Sequence, residues 1–143
     1  MARTVIEYPQ QSHFSTDYTV LISDINSANH FGADKMFSLM IEVQMRFFAY
    51  LGYDKTPQLE GVNYLMGDTE FIFKAESFYA DQLTIDVAVG DFSSKGFELL
   101  YRVKNNTRNS DAAYIKAGMV FFDPQTARPV NVPTSFKKRF TDM

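Results

Sequence analysis

Nine consecutive residues, Asp24-Ile25-Asn26-Ser27-Ala28-Asn29-His30-Phe31-Gly32, bring a carboxylate, two amides, an imidazole and a glycine directly ahead of an apolar run from Met36 to Tyr53. An apolar run of that length predicts a helix, and the first turn of a helix carries N–H donors that no helical carbonyl accepts, together with a partial positive charge. Such a terminus can hold and polarise a carbonyl oxygen, while a nearby carboxylate or imidazole moves a proton. The segment therefore reads as the entrance to an active site. Asp24, His30 and, further along, Glu42 are the groups able to accept a proton there. Asn26 is different, since an amide orients a water or donates a hydrogen bond but is no base.

Each of these residues also has a structural reading. Asp24 has the chemistry of a turn-capping Asx residue. Asp34 in a first helical turn is favoured by the helix dipole whatever the protein does. Glu42 stands four residues before Arg46, the spacing of an ordinary surface ion pair.

These groups need a frame. The predicted helix runs from about Gly32 to Leu51, with Met36, Phe37, Leu39, Met40, Ile41, Val43, Phe47, Phe48 and Leu51 spread over most of its circumference. A helix apolar nearly all round is expected to be buried. Its polar members Ser38, Glu42 and Arg46 share one face, and Gly52 supplies the stop. Five runs alternate as half-buried strands do: Phe14 to Ile22, Tyr64 to Ala75, Gln82 to Val89, Phe97 to Lys104 and Ala112 to Phe122. In the third, Leu83, Ile85, Val87 and Val89 point inward, with Thr84 and Asp86 outward. Pro133 to Lys138 suits one or two helical turns.

The expected order is one strand, one buried helix, then four strands in hairpin succession, an α+β arrangement in which an antiparallel sheet curls around the helix. One such sheet leaves part of an all-apolar helix uncovered, so two subunits are expected to associate.

The 143 residues suit one domain over 1–143. There is no cysteine, which removes disulfides, thiolate metal sites and cysteine nucleophiles and suits a cytoplasmic setting. Two histidines are too few for a His-rich metal site. Fourteen Lys and Arg against 17 Asp and Glu argue against a nucleic-acid partner. No stretch has the apolar length of a membrane span or a signal-peptide core. Fourteen Phe and eight Tyr supply both core and the lining of an oily pocket.

The run Ser23 to Asp34, leading into Leu39-Met40-Ile41-Glu42-Val43-Gln44-Met45-Arg46-Phe47-Phe48-Ala49-Tyr50-Leu51-Gly52-Tyr53, resembles the hotdog-fold acyl-CoA thioesterases of the 4-hydroxybenzoyl-CoA thioesterase type. The likeness extends from about Ser15 to Phe136. It implies a hotdog fold of about five strands around one central helix and a homodimer or dimer of dimers with shared sites. It also implies hydrolysis of an acyl-CoA without metal or redox cofactor, CoA entering only as part of the substrate. The catalytic candidates it implies are Asp24, Asn26, His30 and Glu42. Asn29, Phe31, Gly32, Ala33 and Asp34 border the substrate, and the turn carrying Ser94 and Lys95 takes the nucleotide end.

Two departures stand out. Many relatives carry Asp where this chain has Asn26, and an Asn pair where it has Gly32-Ala33. The second leaves backbone N–H groups around Gly32 to Asp34 as oxyanion donors. The first turns attention to Glu42, eight residues after Asp34, because another branch of these enzymes uses a helix glutamate at about that spacing. The loss of the acid also keeps open a non-catalytic acyl-thioester-binding module, and a hotdog dehydratase or hydratase is a third reading.

Overall fold

Alternation in the sequence becomes the pleat of one antiparallel sheet. The computed structural model describes residues 5–54 and 57–141. In chain order they form β1 (Phe14–Thr19), a 3-10 turn (Ile22–Asp24), α1 (Ala33–Tyr50), β2 (Gln58–Leu59), β3 (Val62–Phe73), β4 (Gln82–Phe92), β5 (Gly96–Asn105), β6 (Ser110–Asp123), β7 (Arg128–Pro129) and α2 (Thr134–Lys138). The sheet order is β1-β4-β5-β6-β3-β2, and β7 pairs with the end of β6. Five long strands match the expected number, and two strands of two residues each extend the rim. This is the hotdog fold, a curled antiparallel sheet with α1 against its inner face.

The strand succession differs from the one expected. Only β4–β5 and β5–β6 are hairpins among the long strands; β3 pairs with β6, and β4 lies between β1 and β5. The segment between Phe73 and Gln82 is therefore a crossover along the end of the sheet. Asp81 holds it there. Its buried carboxylate accepts from the Phe78 N–H at 2.9 Å, Asn105 Nδ2 at 2.8 Å and Arg108 Nε at 2.7 Å. Asn105 Nδ2 also reaches Ser77 Oγ at 3.1 Å. A local pattern of alternation carries no information about which strand lies beside which, so contiguity in sequence was the wrong guide here.

Along α1 the buried residues are Met36, Leu39, Met40, Val43, Gln44, Phe47 and Phe48. Each apolar member contributes about 1.5–3 kcal/mol by leaving water. The opposite face is open in the single chain: Phe37, Ser38 and Glu42 are exposed, and Ile41 and Met45 are half-buried. The expectation of an all-round buried helix is thus corrected to a helix with one sheet-facing side. Gln44, polar by type, points into the sheet, 3.5 Å from the Tyr101 hydroxyl. The helix ends as expected, with Gly52 at φ 97° and the Tyr53 N–H returning to Phe48 O at 2.9 Å.

Inward-facing Leu83, Ile85, Val87, Leu99, Tyr101, Val103, Ile115, Ala117 and Met119 complete the core. Ile22, the end of the first alternating run, is exposed in the 3-10 turn. Asp86 faces outward on β4 as expected, yet it is buried beneath Arg102 Nη2 at 2.8 Å, Lys104 Nζ at 3.2 Å and Ser15 Oγ at 2.9 Å. Burial alone would raise the Asp86 carboxyl, but these donors together hold it below the usual carboxylate range. Among the described residues no helix is long and apolar enough to cross a membrane.

Candidate active site

The polar loop folds back on itself before the helix starts. Ile25 bridges to Phe31, the Asn26 N–H donates to His30 O at 3.0 Å, and the Asn29 N–H donates to Asn26 O at 3.0 Å. Asn26 Oδ1 accepts the Ala28 N–H at 2.9 Å, an Asx turn. Asn29 occupies the left-handed region at φ 67°, which Asn tolerates better than most residues, and its side chain is exposed at the loop tip.

Two further bonds set the loop against the fold: Phe31 N–H to Ser77 O at 2.8 Å, and Gly32 N–H to Asp24 O at 3.0 Å. The second consumes one expected oxyanion donor. The N–H groups that the helix leaves over are those of Ala33 and Asp34, its first two positions. Gly32 is needed for packing as well, since a Cβ there would lie 2.6 Å from Asp34 Oδ1.

Behind the loop, Asp24 is buried, and its Oδ2 accepts the Tyr18 hydroxyl at 2.7 Å and the Leu21 N–H at 2.8 Å. Burial and donation to Asp24 push the Tyr18 hydroxyl up to about 12, so it stays a proton donor at neutral pH. Asp24 therefore ties β1 to the start of the loop.

A cavity of about 300 Å³ opens at this end of α1, lined by His30, Phe31, Ala33, Met36 and the crossover from Phe73 to Ser77. Its wall is mainly apolar through Phe31, Met36 and Phe73. Its polar members are His30, Lys74, Glu76 and Ser77. The His30 ring has Nδ1 3.3 Å from Phe31 O and Nε2 3.5 Å from Glu76 Oε1. Sequence reasoning passed over Glu76, which lies on an exposed irregular segment, and Asp81, whose partners lie 24 and 27 residues away.

The other candidates lie elsewhere. Glu42 is nine residues beyond Ala33, which at about 100° per residue is the opposite side of the helix. It is 54% exposed and bound to Arg46 Nε at 2.8 Å, while Arg46 Nη1 reaches Thr16 Oγ1 and Asp17 O on β1, each at 2.9 Å. Asp34 is exposed in the first turn of α1. Ser94 and Lys95 form the β4–β5 turn, at the far end of a strand that is 11 residues, or about 36 Å, long. There Lys95 Nζ donates to Asn131 Oδ1 at 2.7 Å, and Ser94 O accepts the Val132 N–H at 3.0 Å. One chain thus gathers Asn26, His30, Phe31, Gly32, Ala33 and Asp34 at the cavity end, and sets Glu42, Ser94 and Lys95 apart from it. Among the described residues no group of three His, Asp or Glu side chains is placed to hold a metal ion.

Residues 20–140 match the thioesterase-like superfamily. No curated protein sequence matches the chain. Solved structures with the same fold include the 1,4-dihydroxy-2-naphthoyl-CoA thioesterase of Synechocystis, at 12% identity and a TM-score of 0.79 over 89% of this chain and 94% of that one. A gentisyl-coenzyme A thioesterase shares 17% identity, with a TM-score of 0.75 over 87% of this chain and 99% of the other. A Staphylococcus aureus protein solved in complex with CoA shares 18% identity, with a TM-score of 0.78 over 93% and 85%.

Proposed function

Because the chain belongs to the thioesterase-like superfamily, we propose that it hydrolyses an acyl-CoA thioester to a carboxylic acid and CoA at the helix-end cavity. One observation carries this reading: α1 begins at Ala33, with the N–H groups of its first turn left over by the helix, and Ala33 lines a mainly apolar cavity that His30 also lines. The thioester carbonyl accepts from those N–H groups, and the acyl group lies against Phe31, Met36 and Phe73. As water adds, negative charge gathers on the carbonyl oxygen, where the helix dipole and the two donors stabilise it more than they did the ground state. His30 stands beside the reacting carbon to move a proton. Asn26 holds the loop in shape, and Asp24 anchors it from behind. CoA needs no other cofactor in this scheme.

The working unit we propose is a homodimer, alone or paired into a tetramer. Beyond its two residues paired to β2, β3 has no second neighbour among the described residues on the edge away from β6, and the adjoining surface is apolar. Phe37 and Phe73 are 42% and 54% exposed there, with Phe71 6.0 Å from Phe37 and stacked on Phe73. An open strand edge beside an exposed apolar row favours a second copy. Glu42, Ser94 and Lys95 contribute to catalysis or nucleotide binding only across such a subunit boundary, whereas Lys74 offers the phosphates a cation at the cavity itself.

Thiol release over a panel of acyl-CoA substrates tests the reading. Turnover of at least one is expected. Tight binding without release would instead favour the acyl-thioester-binding module, and loss of an enoyl-CoA chromophore would favour hydratase chemistry.

A further inference from the structure

We propose that Glu76 and His30 work as a single acid–base pair on the thioester, an inference that rests on the hydrolase reading above and assigns a role to a residue of the crossover. Both side chains line the cavity, with His30 Nε2 3.5 Å from Glu76 Oε1. The other ring nitrogen faces a second acceptor, Phe31 O at 3.3 Å. Both nitrogens of the imidazole thus look at oxygen, and only the doubly protonated ring donates to both at once. Ring and carboxylate stand side by side on one wall of the cavity, placed to pass a proton between them.

The other acids are poor substitutes within one chain. Asp24 Oδ2 already accepts two hydrogen bonds. Glu42 lies across the helix in an ion pair with Arg46. Among the described residues no other side chain holds Glu76, and it is 62% exposed, so water reaches it freely. Its position is nevertheless fixed, because Ser77 is buried and its carbonyl accepts the Phe31 N–H, joining crossover to loop.

The step balances without any further reactant. A water hydrogen-bonded to the Glu76 carboxylate adds to the carbonyl carbon and gives its proton to Glu76. The C–S bond breaks, its electron pair leaves with sulfur, and the His30 Nε2 proton passes to the thiolate. The carboxylic acid and the CoA thiol depart, leaving Glu76 protonated and His30 neutral. Proton transfer from Glu76 to Nε2 across their contact restores the pair. Lys74 lines the same cavity, Asp34 and Lys35 belong to the first turn of α1, whose Ala33 borders it, and Asp24 is buried before the loop.

Steady-state kinetics across pH, with Glu76→Gln, His30→Gln and the double variant, provide the test. Thiol release by the wild type comes first; its absence on every acyl-CoA overturns the hydrolase reading and the pair with it. Given release, the wild-type kcat profile is bell-shaped. Glu76→Gln is expected to lower kcat about 100-fold or more, leave KM within about twofold and remove the acid limb. His30→Gln removes the alkaline limb, and the double variant is no slower than the worse single one, because the two residues act as one unit. Since Glu76 is exposed, its variant should melt with the wild type. Glu76→Gln retaining full kcat and its acid limb, or two effects that multiply, would overturn the pair while leaving thioester hydrolysis standing.

Discussion

At the far end of the sheet, Phe136 of α2 is fully buried among the rings of Phe92, Phe97, Phe121 and Phe140, with centroids 4.9 to 6.2 Å away. At the near end, the crossover, the polar loop and the first turn of α1 meet through Asp81, Asn105, Ser77 and Asp24, and a cavity of about 300 Å³ remains between them. Aromatic packing seals one end; directional hydrogen bonds hold the other open. The contrast is physical. Apolar contacts reward any close fit, whereas hydrogen bonds fix positions without filling space, which is what a site with unused N–H donors requires.

The comparison is broken most severely at the aromatic end. Phe136→Ala empties the middle of these four rings and should cost about 3–5 kcal/mol of stability, while kcat per folded molecule stays at the wild-type value. Chemical denaturation with parallel thiol-release assays reads both. A drop in kcat larger than the loss of folded protein would mean that the two ends are coupled.

Next in size is His30→Ala, expected to lower kcat about 100-fold with little change in melting temperature, because the ring is a partly exposed cavity wall. Kinetics and a thermal melt on the same sample decide it. The effects are the mirror of those at Phe136: chemistry without stability, against stability without chemistry.

Much of the aromatic end was legible in the sequence and much of the polar end was not. Strand alternation in 82–89 and 97–104 and the stop at Gly52 are local patterns, and they appear as β4, β5 and the end of α1. The crossover was missed because its anchors are distant in sequence: Asp81 finds Asn105 and Arg108, and nothing near position 81 announces them. Glu76 is an exposed loop acid and leaves no periodic trace. Asn26, His30 and Gly32 were legible as a polar loop at a helix start, yet the loss of the Gly32 N–H to Asp24 O depends on a fold-back that spacing alone does not show. Apolar neighbours suggested that Glu42 stands on a buried helix face, and that face is open in the single chain.

Acid should distinguish the ends by a smaller margin. Burial alone would raise the Asp81 carboxyl, but hydrogen bonds from Arg108, Asn105 and the Phe78 N–H more than offset it and hold it below the ordinary value. A carboxyl lowered in the folded state contributes stability that is present above its unfolded pKa of about 3.9 and is lost as pH falls through the folded value. Melting temperature should therefore fall below about pH 4, and Asp81→Asn should flatten that fall. Hydrogen exchange should show the amides of Phe31 and Ala80 opening before those of β5. Equal protection at both ends in acid would remove Asp81 as the lock.

Smaller still is Asn26→Ala, which removes the acceptor for the Ala28 N–H and should cost about 1 kcal/mol in kcat/KM; Asn26→Asp keeps that acceptor and should hold the loop. At the bottom of the scale, Lys95→Ala should leave kcat and KM unchanged if each chain works its own cavity. A rise in KM alone would show a nucleotide reaching that turn from a neighbouring subunit.

The location of the site is tested most directly by amide NMR during titration with an acyl-CoA analogue in which a methylene replaces the thioester sulfur, so that the carbonyl remains and hydrolysis cannot occur. The Ala33 and Asp34 amide protons should move downfield to saturation, with the signals of Glu76 and Ser77 moving in step. Saturable shifts that leave Ala33 and Asp34 untouched would place the acyl group elsewhere and contradict the assignment of the helix-end cavity as the active site.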